Sequence, residues 1–123
     1  MSHPRLIAVI DDDEGMRLSL DGLLRSLGHC TALFASGEDF LASEAAASAD
    51  CVISDVHMPG GMSGVELARR LADARSPTPV ILMSGFADRA CREEAERIKV
   101  GCLLTKPFDD DTLIACLDEA LTA

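Results

Sequence analysis

Five polar residues stand where short apolar runs stop. Asp11 and Asp12 follow "LIAVI" (6–10), Asp55 follows "CVIS" (51–54), Ser84 closes "PVILMS" (79–84) and Lys106 follows "CLLT" (102–105). If these runs are strands of an open parallel sheet, their carboxyl ends share one edge and the five side chains converge there. Three carboxylates in one crevice repel one another, so some must take up protons or the site must hold a cation. Oxygen-only ligands favour a hard ion, and magnesium (Mg2+) suits one or two carboxylates, several waters and a phosphate oxygen. A metal beside a carboxylate points to phosphoryl chemistry. An aspartate would attack as nucleophile, with Lys106 as a second positive clamp and Ser84 donating a hydrogen bond.

The elements that must position these residues are legible in the spacing. A further run, "CTALF" (30–34), brings the predicted strands to five. Between them the apolar period becomes helical: Met16, Leu20, Leu23, Leu24 and Leu27; Leu67 and Leu71; Cys91, Ala95 and Ile98; then Leu113, Ile114, Leu117 and Leu121. "SGEDFLASEAAA" offers Ser36 as a cap and predicts a helix from Glu38 to about Ala47. Alternating strands and helices favour a parallel sheet covered on both faces, whose strands read as continuous apolar runs. "ARSPTP" (74–79) predicts a turn before the fourth strand, and "FDDDT" (108–112) a helix start whose acids suit the positive dipole end.

Composition narrows the function classes. At 123 residues the expectation is one domain spanning 1–123. No apolar run approaches the roughly 18 residues needed to cross a bilayer, so no membrane association is expected. "MSHPRLIAVIDDDEG" shows no secretory signal, which makes the cytoplasm the default expectation. A net charge of −10 leaves no basic footprint for direct nucleic-acid binding by this domain. Cys30, Cys51, Cys91, Cys102 and Cys116 form neither a CxxC pair nor zinc-ligand spacing with His3, His29 and His57. They are expected to be buried small hydrophobes in a reducing compartment. A calcium-loop reading of "DDDEGMRLSLDG" fails, because Gly15, Met16 and Gly22 stand where that loop needs Asp or Asn, Gly and Glu.

Four dispersed stretches, "VIDDDEGMR", "SDVHMPGGMSGVEL", "ILMSG" and "LLTKPF", resemble in order and spacing the receiver domain of bacterial two-component response regulators. "ASGEDFL" and "TKPFDDDTL" are most similar to the FixJ-like receivers, which usually precede a helix-turn-helix DNA-binding domain. The resemblance implies a flavodoxin-like, doubly wound α/β fold with a five-stranded parallel sheet in the order 2-1-3-4-5 and five flanking helices. It implies that Asp55 is the phosphoacceptor for a sensor histidine kinase or phosphotransfer protein. Asp11 and Asp12 would hold magnesium with Asp55 and the backbone carbonyl of His57. Ser84 matches the switch hydroxyl, and Lys106 the phosphate-binding lysine, followed by a cis bond to Pro107. Arg17, five residues past Asp12, sets this register, leaving Asp13 and Glu14 as solvated residues at a helix start.

The expected function is therefore a phosphorylation-controlled signalling switch that relays a conformational change to an effector domain or partner protein. It is not an enzyme beyond promoting its own phosphotransfer and autodephosphorylation. The output surface would be the fourth helix, fifth strand and fifth helix, where a phosphorylation-dependent homodimer could also form. Two alternatives stand beside it: a phosphate-independent interaction module, and a small phosphatase of the haloacid dehalogenase type using Asp11 or Asp13 as nucleophile. Two departures from the family pattern bear on mechanism. "MPGGMSG" is one residue longer than usual, which is either a neutral insertion or a mobile loop that alters access to Asp55. Leu103 replaces the usual aromatic, which predicts weaker or rerouted coupling from Ser84 to the surface.

Overall fold

The computed structural model describes residues 5–85, 89–98 and 100–122, so His3 lies outside the described residues. In chain order the elements are β1 (Leu6–Ile10), α1 (Glu14–Ser26), β2 (Cys30–Phe34), α2 (Gly37–Leu41), α3 (Ala45–Ser48), β3 (Cys51–Asp55), α4 (Gly64–Asp73), β4 (Val80–Ser84), α5 (Arg89–Arg97), β5 (Cys102–Thr105) and α6 (Asp110–Thr122). The five strands form one parallel sheet in the order β2-β1-β3-β4-β5. The expected doubly wound α/β architecture is therefore present, with the chain order reversing beside β1.

Side-chain alternation along each strand divides the core in two. Ile7 and Val9 of β1 join Ile53, Ile81 and Met83 beneath α1 and α6, where Leu20, Leu24, Leu113 and Leu117 fill the layer. Ala8 and Ile10 face the other way, with Val52, Val80 and Leu82, against Phe40, Leu67, Leu71 and Ala95 from α2, α4 and α5. β3 and β4 are buried along their whole length, which is why they read as unbroken apolar runs.

One predicted helix divides. Instead of running from Glu38 to about Ala47, the chain forms α2 and α3 with a break across 42–44, so among the described residues six helices flank the sheet rather than five. Ser43 is the cause: its amide and its hydroxyl both donate to the Phe40 carbonyl, at 3.0 and 2.7 Å, drawing the backbone out of the i to i−4 pattern. The starts of α1, α2, α4 and α6 follow side-chain caps. Asp13 accepts from Gly15 N at 2.9 Å, Ser36 from Asp39 N at 3.1 Å and Ser63 from Glu66 N at 3.1 Å. Asp109 accepts from Thr112 at α6, and the Thr112 hydroxyl and amide hold its carboxyl below the usual carboxylate range.

The cysteines depart from expectation. Cys102 and Cys116 form a disulfide joining β5 to α6, with Cα atoms 6.2 Å apart. Their separation of 14 residues carries no periodic signal; only the return of α6 over the sheet brings them together. Cys51 is buried as expected, Cys91 is half-buried, and Cys30 is exposed on the edge strand β2. Among the described residues no helix is long and apolar enough to cross a membrane.

Candidate functional site

The strand ends deliver the predicted residues to one edge. Asp11 follows β1 directly, Asp55 and Ser84 are the last residues of β3 and β4, and Lys106 follows β5. Ser84 pairs in register with Thr105, and Lys106 N donates to the Ser84 carbonyl at 2.7 Å, so backbone geometry fixes the two residues side by side at the edge. The Lys106–Pro107 bond is cis, as the resemblance implies.

Carboxylate oxygens of Asp11, Asp12 and Asp55 lie within 4.8 Å of one another. Asp11 is fully buried, Asp55 nearly so, and Asp12 is exposed at the mouth. Lys106 Nζ sits 3.7 Å from Asp11 Oδ2 and 3.6 Å from Asp55 Oδ1, shared almost equally between them. Burial pushes the Asp11 carboxyl above its ordinary range, and the neighbouring charges of Asp55 and Asp12 add to the rise. The Asp13 amide, bonded to Asp11 Oδ1 at 2.9 Å, and the Lys106 ammonium oppose it without cancelling it. The second oxygen, Asp11 Oδ2, is buried without a hydrogen-bond partner.

That arrangement fits a hard divalent cation. A buried carboxylate oxygen short of a donor, beside two further carboxylates, is the oxygen-rich anionic donor set that magnesium prefers. His57 lies on the loop between β3 and α4 with an exposed side chain. The Asp13 carboxylate caps α1, accepting from Gly15 N.

Three residues outside the predicted set shape the site. Arg17 served in the sequence only as a register mark; its Nη1 donates to the Asp11 carbonyl at 2.6 Å and so orients the turn that carries the acidic pair. Gly64 opens α4 so close to β3 that a Cβ there would stand 2.3 Å from the Asp55 carbonyl oxygen. Glu38 in α2 accepts from Met62 N at 3.0 Å, tying α2 to the β3–α4 loop. Of the three, only Arg17 was marked by the sequence, through the register it sets for the acidic pair. Leu103 is half-buried against the α5-side core, as a leucine in place of an aromatic allows.

The comparisons with known proteins now bear on this geometry. The response regulator receiver domain profile matches residues 7–118. The chain belongs to that family. It is 42% identical over 115 residues to the transcriptional regulatory protein FixJ of Bradyrhizobium diazoefficiens, covering 94% of this chain and 56% of that protein. The structure of full-length FixJ from B. japonicum superposes with a TM-score of 0.84 at 39% identity, over 98% of this chain and 59% of that one. The BeF3-activated DrrB receiver domain superposes with a TM-score of 0.86 at 30% identity, over 98% of this chain and 100% of that one. The receiver thus spans about half the length of the curated FixJ relatives it matches. Receiver domains of this family are signalling modules controlled by phosphorylation rather than classical enzymes, and the clustered aspartates accord with that role.

Proposed function

We propose that Asp55 accepts a phosphoryl group from a phosphohistidine on a sensor kinase or phosphotransfer protein, and that the domain relays this modification as a change of conformation. The observation that carries the reading is the placement of Lys106 between the carboxylates of Asp11 and Asp55, beside the exposed Asp12. An oxygen of Asp55 attacks phosphorus and forms an O–P bond as the donor's N–P bond breaks, and the electron pair leaves with the imidazole nitrogen. Asp11, Asp12, Asp55 and the backbone carbonyl of His57 would hold magnesium, which when bound offsets negative charge on the phosphoryl oxygens. Lys106 then pairs with the modified side chain, and the Ser84 hydroxyl donates to a phosphoryl oxygen. Because Lys106 N is bonded to the Ser84 carbonyl, movement at one is felt at the other.

The donor protein reaches Asp55 past α1 and the start of α6. There a groove of about 430 Å3 lined by Met16, Leu20, Phe108 and Leu113 opens beside Lys106. The relayed change emerges at α5, β5 and α6, where an effector domain, a partner protein or a second copy docks. Reaction and output occupy one domain spanning the chain, and neither a membrane nor nucleic acid is contacted by it. Its compartment is the cytoplasm.

The test is to incubate the protein with magnesium and a small phosphodonor and to locate the adduct by mass spectrometry. The expected result is one aspartyl phosphate on Asp55, absent from Asp55→Asn. Absence of any adduct would leave a phosphate-independent interaction module, and an adduct on Asp11 or Asp13 with turnover of phosphate esters would replace the switch by a phosphatase.

A further inference from the structure

The loop from 56 to 63 joins the end of β3 to α4 and carries His57. Its ends are fixed locally: Val56 N donates to the Met83 carbonyl at 2.8 Å, and Gly64 N to the Val56 carbonyl at 3.0 Å. Its middle contains Gly60 at φ +88°, a left-handed conformation that glycine adopts without steric cost. Two adjacent glycines, Gly60 and Gly61, limit the rigidity of this segment, whose one internal backbone bond among those described runs from Gly61 N to the Met58 carbonyl at 3.3 Å. An anchor from elsewhere in the fold adds to that turn.

That anchor comes from the first turn of α2. Glu38 Oε2 accepts from Met62 N at 3.0 Å, a bond between residues 24 apart in sequence. The same carboxylate lies over Gly61, where a Cβ would stand 3.0 Å from Oε1 and 3.2 Å from Oε2. Next to it Gly37 leaves its face bare for Met62, whose Cγ would be 2.9 Å from a Cβ at that position. Met62 is buried, and so are Met58 and Leu67 around it. Hydrogen bonds from a backbone amide to a carboxylate are stronger than neutral ones, so one residue can hold the turn.

The geometry points to Glu38 as a positioning residue for the phosphoryl-transfer site: through Met62 it fixes the loop so that the His57 carbonyl is held ready for magnesium. The assignment rests on the reading of the site given above and extends it to a residue that touches neither metal nor phosphate. Partners that orient a metal ligand commonly contribute tenfold or more to affinity, and Glu38 acts one step further out through the loop backbone.

Wild type, Glu38→Gln and Glu38→Ala of the whole chain separate the possibilities. Gln keeps an acceptor oxygen at the same reach; Ala removes it. Two quantities are read: hydrogen exchange at the Met62 amide without metal, and the magnesium dissociation constant from amide shifts in NMR, since the chain has no Trp or Tyr to report binding by fluorescence. Glu38→Ala is expected to exchange the Met62 amide about tenfold faster and to bind magnesium about tenfold more weakly, with Glu38→Gln within about threefold of wild type on both. Should Glu38→Ala fail to fold, Glu38→Asp withdraws the carboxylate by one carbon and is expected to weaken both readouts in the same direction. Unchanged Met62 exchange overturns the tether, and faster exchange with unchanged magnesium affinity overturns the positioning role. A wild type that binds magnesium yet takes no phosphate on Asp55 overturns the proposed phosphotransfer alone, leaving Glu38 to be judged on exchange and affinity. A wild type that binds no magnesium overturns both.

Discussion

The same substitution, glycine to alanine in a helix, is predicted to have opposite effects at two positions of this chain. At Gly22, in the interior of α1, an added Cβ meets nothing within 4 Å. The alanine therefore contributes only its better helix propensity, about 0.5–1 kcal/mol of added stability. At Gly64, the first residue of α4, the Cβ would stand 2.3 Å from the Asp55 carbonyl oxygen, 3.0 Å from the Asp55 carbonyl carbon and 3.1 Å from Leu82 Cδ2. Even close C···O contacts lie near ~3.3 Å, so α4 and β3 must separate by roughly 1 Å. Two of those three atoms are backbone and cannot rotate away. Overpacking of this kind costs about 1–3 kcal/mol, which exceeds the propensity gain and leaves Gly64→Ala destabilised by about 1–2 kcal/mol. For a domain of this size that corresponds to a fall in Tm of roughly 4–8 °C, against a rise of a few degrees for Gly22→Ala. Thermal melts followed by circular dichroism measure both. Because the displaced backbone belongs to Asp55, Gly64→Ala should also slow phosphorylation at temperatures where it remains folded, while Gly22→Ala should not. A Gly64→Ala protein that melts at or above wild type would refute the close-approach reasoning.

Reducing the Cys102–Cys116 disulfide should lower stability by about 3 kcal/mol, the loop-closure value for a loop of this size, and Cys116→Ser should match the reduced wild type in melts with and without a thiol reductant. Equal melting temperatures for the oxidised and reduced protein would count against the bond. Burial raises the Asp11 carboxyl above its ordinary 3.8, so the folded state favours the protonated form. Without metal, the contribution of Asp11 to stability therefore declines as pH rises from about that value through the folded-state titration, and magnesium should restore it above that range. Melts across this interval should show the decline in wild type and a flatter profile in Asp11→Asn; identical profiles would exclude Asp11 as the source. Below the folded-state titration, proton competition should weaken magnesium binding.

The sheet and the convergence of its polar ends were legible because both follow from local chemistry. β3 and β4 are apolar at every position until Ser54 and Asp55, and until Ser84, so the strand and its functional terminus are marked by the same change of character. Parallel pairing then carries Asp11, Asp55, Ser84 and Lys106 to one edge without further information. What the sequence left hidden depends on contacts between distant elements. Glu38 is an ordinary residue for the first turn of a helix, and nothing near it in sequence says that its carboxylate reaches Met62. The break after α2 depends on which acceptor Ser43 chooses, a competition that helix propensities summed over "FLASEAAA" do not resolve. The disulfide was missed for the same reason, since a strand residue and a helix residue share no period that could relate Cys102 to Cys116.

The charge arrangement explains why such a site would act as a switch rather than as a structural ion pair. Asp11, Asp12 and Asp55 bring three formal negative charges, and Lys106 at 3.6–3.7 Å returns one positive charge to the two buried carboxylates. The shortfall is two charges, which a divalent cation closes and which further lysines would close only by filling the space that a phosphoryl group needs. Phosphorylation of Asp55 would add negative charge to that balanced state and create acceptor oxygens where one carboxylate stood. The new acceptors must draw on donors already at the edge, and the buried Ser84 at the end of β4 is joined to Lys106 through its own carbonyl. Charge added at β3 is thereby answered by groups on β4 and β5. On that reading the response would run along the sheet toward α5 and α6, where the donors lie, while the Asp11 turn on the other side is held by Arg17.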